Sequence, residues 1–441
     1  EEPAVDAEAI IDETATLVER RIAASERNTE SGRPERSVTV SVVVPVKDAG
    51  GELTDLIVRM KGQKGFRAVE ILIVDSGSTD GSAETAEALG ATVVRIPPEE
   101  FSHSSARNLG AERATGDYVL FTVQDALPSS NRWLLEMFSG LKRHEAAAVS
   151  CGEEPRADSD LFYRAISWQH HRFMSRWGRD TVLSRLPDDT PMEARRNGQI
   201  TDTACLIGRE LFLRYRHRGD YAEDLDLGLR LTGDAYRLAF LASTRIIHSH
   251  NRPAYYHLKR SYVESLALFD LLPGFPSGPA DDAAAVADDI VYSCRALDET
   301  MRGPLRALEP PVSPREARDA AAAGLRSAPS ATAGAPAGGV DFLDGRTRAL
   351  VAGLEDRFRP DGAERPRHSL VQAAAVARML CAYLEHSGQT LDRNLLEEFK
   401  SALYKGWAQT CGIRLASVYW RGPEPVRESL RDLHEQMARG V

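Results

Sequence analysis

The chain has 441 residues, of which 42% are hydrophobic and 27% charged, and its formal net charge is −10 at pH 7. This composition indicates a globular protein of two-domain size, and no apolar run is long enough to span a bilayer. The acidic balance argues against nucleic-acid binding, because phosphate backbones require a basic surface. The acidic start, EEPAVDAEAI, does not resemble a secretory signal, and the five cysteines are widely spaced. We therefore expect a cytoplasmic protein.

The first half of the chain alternates between strand and helix patterns. Residues 3–27 have near-helical apolar spacing, which predicts an amphipathic N-terminal helix. The β-branched run VTVSVVVPV then predicts a buried strand over residues 38–46. The alternation that follows is typical of an α/β fold with a mixed, mainly parallel sheet flanked by helices. Further strands are predicted over 68–75, 91–96, 117–123 and 146–152, and helices over 53–60, 81–89, 102–114 and 133–141.

The pattern changes after PGFPSGP at residues 273–279, beyond which helical, alanine-rich segments dominate. The stretch SAPSATAGAPAGG has the composition of a linker. Amphipathic helices must bury their apolar faces, so we expect an accessory or homo-oligomerising layer here. The predicted segments are an N-terminal helical segment (1–37), an α/β domain (38–272) and a helical accessory domain (273–441) with a linker near 327–339.

A first candidate for ligand binding is Asp75 in the segment VDSGSTDGS. Asp75 closes an apolar strand, and the small residues after it let a ligand approach the backbone. A carboxylate there can accept hydrogen bonds from a nucleobase or a ribose. The alternative is a plain strand-to-helix turn in which Ser78 or Asp80 caps the next helix.

A second candidate is the segment FSHSSARNLG, which places Arg107 and Asn108 on a helix near the sheet edge. A guanidinium at this place can reach a diphosphate oxygen. The alternative is an ordinary solvated arginine on the helix surface.

Asp125 follows directly on the apolar strand that contains YVLFTV, so its carboxylate projects from the strand end. A hard divalent cation that bridges two phosphates needs such oxygen ligands. The alternative is a helix-capping aspartate, although Pro128 intervenes and Ser130 fits the capping role better.

A last group combines AEDLDLGLRL with IIHSHNR. Glu223 and Asp224 stand at the start of a predicted short helix, whose dipole favours ionised carboxylates. His248 and His250 are two positions apart, so their side chains point the same way if the strand TRIIHSH continues through them. Such a pair can share a metal, although a surface or core histidine is the ordinary explanation for either.

The segments VVVPVKD, VDSGSTDGS, ARNLGAERATGDYVLF, TVQDA, AEDLDLGLRL and HSHNR together resemble family 2 glycosyltransferases with the GT-A fold, over residues 38–260. The FSHSSARNLGA, QDA and HSHN elements are most similar to bacterial rhamnosyltransferase-like members that build polysaccharides. The resemblance implies inverting transfer of a sugar from a nucleotide diphosphate sugar, such as dTDP-rhamnose, to a saccharide or lipid-linked acceptor. It also implies peripheral association with the inner face of the membrane.

The resemblance also implies a role for each matching position. Asp224 is expected to be the general base, with Glu223 as its neighbour or substitute. Asp125 is expected to bind Mn²⁺ or Mg²⁺, with His250 or His248 as a further ligand. Gln124 stands where many members carry a second aspartate. The residues expected to bind the donor nucleotide are Pro45, Asp75, Ser76, Arg107, Asn108 and Gln124.

Other enzymes on α/β sheets fit less well. A nicotinamide dehydrogenase needs G-x-G-x-x-G after the first strand, and a nucleotidyltransferase usually has a glycine-rich loop with arginine there. The sequence at that place is PVKDAGGELTDL. The remaining alternative is a catalytically silent sugar- or nucleotide-binding scaffold with the same fold. The presence of Asp125, Glu223, Asp224 and both histidines argues against it.

Overall fold

The computed structural model describes residues 37–175, 178–186, 188–277, 282–327, 343–358 and 367–438. Within them, one mixed sheet has the strand order β3-β2-β1-β4-β8-β6-β9-β5, and β7 pairs with β9. The predicted N-terminal helix and most of the predicted linker lie outside the described residues. The strands are β1 (Thr39–Val46), β2 (Ala68–Asp75), β3 (Thr92–Arg95), β4 (Tyr118–Thr122), β5 (Leu127–Pro128), β6 (Ala148–Glu154), β7 (Thr181–Leu183), β8 (Ala204–Gly208) and β9 (Leu238–Ile247).

The strand directions bring several chain ends to one edge of the sheet. Strands β1 to β4 are mutually parallel, and β6 is parallel to β9. Strand β8 runs antiparallel between β4 and β6. The carboxyl ends of β2, β4, β6 and β9 and the start of β8 therefore share an edge. The longest ladders are parallel, and the predicted α/β class with a mixed, mainly parallel sheet is confirmed.

Helices cover both faces of the sheet, because side chains alternate along each strand. Val42 and Val44 of β1 pack against helices on one face, whereas Val43 packs on the other. Gly110 lets one of these helices lie directly on β1, since a Cβ there would overlap the Val43 side chain. The helices up to residue 271 are α1 (Gly50–Lys61), α2 (Ser82–Ala88), a 3₁₀ turn (Pro98–Glu100), α3 (His103–Arg113), α4 (Trp133–Arg143), α5 (Leu161–Met174), α6 (Pro191–Asn197), α7 (Arg209–Tyr215), α8 (Glu223–Gly233) and α9 (Ala254–Leu271).

The C-terminal region is helical, as the sequence predicts. Its helices share one hydrophobic core with α5 and α9, which includes Phe162, Leu258 and Trp407. The boundary at residue 273 and homo-oligomerisation through these helices stay predictions. No described helix is long and apolar enough to cross a membrane. The C-terminal helices are α10 (Ala283–Arg302), α11 (Pro314–Arg326), α12 (Gly345–Phe358), α13 (His368–His386), α14 (Arg393–Arg421), α15 (Glu424–Ser429) and α16 (Arg431–Ala438).

One predicted strand differs from the observed one in a way that matters for the site. The strand expected over 244–250 begins at Leu238 and ends at Ile247, where its pairing with β6 stops at Glu154. His248 and His250 therefore lie on the segment that follows β9 rather than on the strand. The backbone N–H of His248 still donates to the Glu154 carbonyl at 3.0 Å, and the Nε2 atoms of the two histidines lie 3.1 Å apart.

Candidate active site and metal centre

Four chain segments deliver acidic or imidazole side chains to the shared sheet edge. Asp75 is the last residue of β2, and Asp125 follows β4. Asp202 lies two residues before β8, and His248 comes directly after β9. All four residues are buried. The topology thus gathers groups that are far apart in the sequence, as expected for a ligand site in an α/β sheet.

The first group at this edge is a triad formed by Asp125, His248 and His250. One ligand atom from each lies within 4.8 Å of the others. The Asp125 carboxylate is 3.3 Å from Nδ1 of His250 and 3.7 Å from Nε2 of His248. The two Nε2 atoms are 3.1 Å apart. A carboxylate with two imidazoles can hold a divalent metal ion, so both predicted histidines come together with Asp125.

Glu153 and Tyr163 orient His248 from behind the triad. Nδ1 of His248 is 3.4 Å from the Glu153 carboxylate and 3.1 Å from the Tyr163 hydroxyl. The Tyr163 hydroxyl donates to Glu153 at 2.6 Å. A carboxylate behind a histidine leaves the other ring nitrogen to face a metal. Sequence reasoning missed both residues, although Glu153 follows the predicted strand AAAVSCG directly.

The two histidines differ in their proton affinity. Burial lowers the pKa of His250 to about 4, and the neighbouring charge of His248 contributes to the shift. For His248, burial also favours the neutral ring, but the Glu153 carboxylate outweighs it and raises the pKa above its ordinary value. His250 is thus neutral near pH 7, which is the form that binds a metal.

A second group of charges surrounds Arg107, which is buried rather than solvated. Its Nη1 donates to Glu223 at 2.8 Å, and its Nε forms an ion pair with Asp202 at 3.1 Å. The guanidinium of Arg107 is thus paired with two carboxylates of the protein, and its approach to the nucleotide stays a prediction. Burial favours such pairing, since an isolated charge in the interior is costly.

His217 completes this buried group and was not predicted. Its Nε2 lies 3.1 Å from the Asp202 carboxylate. Burial alone would raise the pKa of Asp202, but the charges of His217 and Arg107 lower it to about 2. The carboxylate in turn raises the pKa of His217, against the effect of burial. Asp202 is therefore a fixed negative charge next to the start of α8.

Asp224 lies in the first turn of α8 and keeps part of its surface exposed. One carboxylate oxygen accepts the Leu225 N–H at 2.7 Å, and the other lies 3.4 Å from the backbone nitrogen of Asp202. Burial raises the pKa of Asp224 to about 7, and the negative charges of Asp202 and Glu223 add to the shift. The expectation that the helix dipole keeps Asp224 ionised is thereby corrected, because burial and like charges outweigh the dipole.

The side-chain amides of Asn108 and Gln124 bond the protein's own backbone. Asn108 donates to the His217 carbonyl at 3.1 Å and accepts the His217 N–H at 3.0 Å. Gln124 accepts the Lys47 N–H at 2.9 Å and donates to the Lys47 carbonyl at 3.2 Å. A primary amide matches a peptide group in both directions. Both residues were predicted to bind the donor, which stays a prediction, and in the structure their amides hold the backbone at His217 and Lys47.

The turn after β2 holds the predicted nucleoside residues. The Asp75 carboxylate accepts two backbone N–H groups of the following turn, at 3.2 Å each. Ser76 donates its hydroxyl to the Val46 carbonyl at 3.1 Å, and Pro45 pairs with Val74 in the sheet. Helix α2 is preceded by Gly81 without a side-chain cap, so neither suggested capping residue occupies that place.

Arg260 of α9 connects the two groups of charges. Burial is the main cause of a pKa of about 4 for both His103 and His250, and the charge of Arg260 contributes to each. His103 belongs to the same group as Arg107, because Nη1 of Arg107 lies 3.4 Å from the His103 carbonyl oxygen. Electrostatic effects of this kind fade over about 10 Å in salt solution. The charge of Arg260 therefore acts on both groups.

We expect the substitution Asn108→Ala to disturb the loop that precedes Asp224. It removes both hydrogen bonds that hold the backbone at His217, which should lower the free energy of unfolding by about 1–2 kcal/mol. Misplacement of the loop before Asp224 should lower kcat about tenfold. Thermal unfolding and steady-state transfer kinetics would measure both effects. Arg113→Ala, on the exposed side of the same helix, is the control, and equal losses in both variants would contradict this role.

Comparison with known proteins gives the following relatives. The chain is similar to the O-antigen chain rhamnosyltransferase WbaN of Salmonella anatum, at 25% identity over 216 residues, which covers 48% of this chain and 66% of that protein. It is similar to the O-antigen biosynthesis protein RfbC of Myxococcus xanthus at 28% identity, covering 47% of this chain and 17% of that protein. The chain thus spans less than two thirds of these relatives' length.

Solved structures and a family model complete the comparison. The mannosyltransferase PcManGT of Pyrobaculum calidifontis, in complex with GDP-Man and Mn²⁺, is 14% identical with a TM-score of 0.43, covering 84% of this chain and 87% of that one. S. aureus TarS 1–349 in complex with UDP-GlcNAc is 14% identical with a TM-score of 0.38, covering 80% and 92%. Residues 41–197 match the family model described as Glycosyl transferase family 2, so this part of the chain is similar to that family.

Proposed function

We propose that this protein is a metal-dependent, inverting glycosyltransferase that moves a sugar from a nucleoside diphosphate sugar to an acceptor hydroxyl. The observation that carries the proposal is the Asp125, His248 and His250 triad at the same sheet edge where Asp202 contacts Asp224, whose pKa is raised. The family 2 match supports the reaction class. The relatives named as rhamnosyltransferases make dTDP-rhamnose the first donor to test.

The triad fits a divalent cation by its donor set. Its members supply a buried carboxylate and a neutral imidazole, with a second imidazole held by Glu153. Two nitrogen ligands favour a first-row transition metal such as Mn²⁺ over Mg²⁺, which prefers an all-oxygen shell. When bound, the ion would offset the negative charge that develops on the departing diphosphate.

Asp224 is the proposed general base. Its pKa of about 7 lets it exist as a carboxylate near neutrality and still bind a proton firmly. It would remove the proton from the acceptor hydroxyl as the oxygen attacks the anomeric carbon. The nucleoside diphosphate leaves from the opposite face, so a single displacement inverts the configuration.

Glu223 has a different role in this proposal. Its carboxylate accepts a hydrogen bond from Arg107 at 2.8 Å and is buried, so it does not face an acceptor. We therefore assign Glu223 to positioning rather than to proton transfer. Together with Asp202 it supplies the negative charge that helps raise the pKa of Asp224.

The nucleoside is assigned to the turn after β2. The Asp75 carboxylate accepts two N–H groups and has further lone pairs for ribose hydroxyls. The turn after β2 and the metal triad lie at the same edge of the sheet. This common position supports a donor that carries both a nucleoside and a diphosphate.

A screen of nucleotide sugars tests the proposal directly. The full chain is incubated with each donor, beginning with dTDP-rhamnose, in the presence of Mn²⁺ and a panel of saccharide acceptors. We expect release of nucleoside diphosphate with one donor, and its loss when EDTA removes the metal. Binding of nucleotides without turnover of any donor would instead favour the catalytically silent scaffold.

A further inference from the structure

We propose that the cleft between the start of α9 and the start of α12 is a phosphate-binding subsite for the acceptor. This inference rests on the proposed glycosyltransferase function and specifies the acceptor as one that carries a phosphate group. Three cations line the cleft, namely Arg252, Lys259 and Arg346, and its volume is about 570 Å³.

Aromatic rings hold the two arginines in place. The Arg252 guanidinium lies 5.3 Å from the centre of the Tyr256 ring, and that of Arg346 lies 5.9 Å from the Tyr255 ring. Both tyrosines also line the cleft. Stacking on a ring leaves the edge of a guanidinium free to donate in parallel to an oxyanion. Neither arginine forms an ion pair with a carboxylate within the described part of the chain.

Asp344 is the single carboxylate among the residues that line this cleft. Its oxygens accept the backbone N–H groups of Tyr255, Arg346 and Thr347 at 2.9, 3.1 and 3.0 Å and the Thr347 hydroxyl at 2.9 Å. Asp344 thereby caps α12 and ties it to the first turn of α9. Two helix N-termini thus meet beside the cations, and the Asp344 carboxylate accepts the backbone N–H groups of both.

The cations are close enough to repel one another. Burial is the main cause of the lowered pKa of Lys259, and the charge of Arg346 adds to it. A phosphate between them would relieve this repulsion and accept several charge-assisted hydrogen bonds. A single carboxylate would supply less charge and fewer acceptor oxygens than a phosphate dianion.

The cleft also lies next to the proposed metal centre. Arg252 follows His250 by two residues in the sequence. An adjoining cleft of about 450 Å³ shares Arg252 and Pro253 and extends to Asn251. No residue from the ends of β1 or β2 lines either cleft, so we assign the subsite to the acceptor rather than to the donor nucleoside.

Glycerol phosphate is the probe for the first test, in titrations of the full chain without divalent ions or nucleotide. We expect Lys259→Gln and Arg346→Gln each to weaken its binding about tenfold, because each removes a charged donor. Arg357→Gln changes the same charge at the far end of α12 and should bind like the wild type. Asp224→Asn should also bind glycerol phosphate normally. Failure of Asp224 as the base would therefore leave this binding result unchanged.

Vesicles distinguish the source of the phosphate. Co-sedimentation with phosphatidylglycerol vesicles, but not with phosphatidylcholine vesicles, and its loss in Arg346→Gln would assign the phosphate to a lipid headgroup. Glycerol phosphate binding without vesicle binding would assign it to a soluble acceptor. Both results support the subsite. Absence of glycerol phosphate binding to the wild type, or equal affinity in all variants, would overturn it.

Discussion

Replacing Asp224 by asparagine is expected to lower the rate of sugar transfer about 10²- to 10⁴-fold, the usual contribution of a general base. Asparagine keeps the shape of the side chain and can still meet the backbone around the start of α8, but it cannot take up a proton. Donor binding should remain close to that of the wild type, because the assigned nucleoside and metal residues are untouched. Steady-state kinetics with the donor found in the screen would measure the transfer rate, and nucleotide titration would measure binding.

The pH profile provides the internal check. Since the base must be deprotonated and its pKa is about 7, kcat/KM of the wild type should rise about tenfold per pH unit below pH 7 and level off above it. The residual activity of Asp224→Asn should lack this rise. Asp226→Asn is the matched control, because Asp226 lies in the same helical turn but pairs with Arg230 at 2.7 Å. Equal turnover of Asp224→Asn and the wild type would remove Asp224 as the base.

The second large effect is expected at the metal triad. His250→Ala and Asp125→Asn should each weaken Mn²⁺ binding by about 100-fold or more, because loss of a supporting partner behind a ligand already costs about 10- to 100-fold. Transfer should fall in parallel at limiting metal concentration. Electron paramagnetic resonance of free Mn²⁺ titrated with the full chain would give the affinities.

Two further variants separate ligands from supporting residues. Tyr163→Phe removes a hydroxyl bonded to both His248 and Glu153, so it should weaken Mn²⁺ binding by about tenfold. His386→Ala alters an exposed histidine at the end of α13 and should leave metal affinity unchanged. Indistinguishable Mn²⁺ affinity in His250→Ala and the wild type would refute the triad as a metal site.

Two predicted site residues have protein partners that the sequence does not reveal. Arg107 and Asn108 were placed correctly on a helix at the sheet edge, yet their partners, Glu223 and the backbone of His217, lie more than 100 positions away in sequence. Local patterns indicate which residues can form hydrogen bonds and ion pairs, but they do not show which partner is nearest in the folded chain. A motif residue can therefore hold other parts of the protein in place as well as contact a ligand.

The sequence by itself determined the alternating strands and helices, the acidic residues at strand ends and the start of the helix that carries Asp224. Those features follow from short-range rules, namely the two-residue period of strands and the preference of carboxylates for helix N-termini. Only the tertiary structure decided that Asp202 and His217 join Arg107, and that Glu153 stands behind His248. Burial and charge at those distances set the pKa of Asp224, and neither quantity exists until the chain has folded.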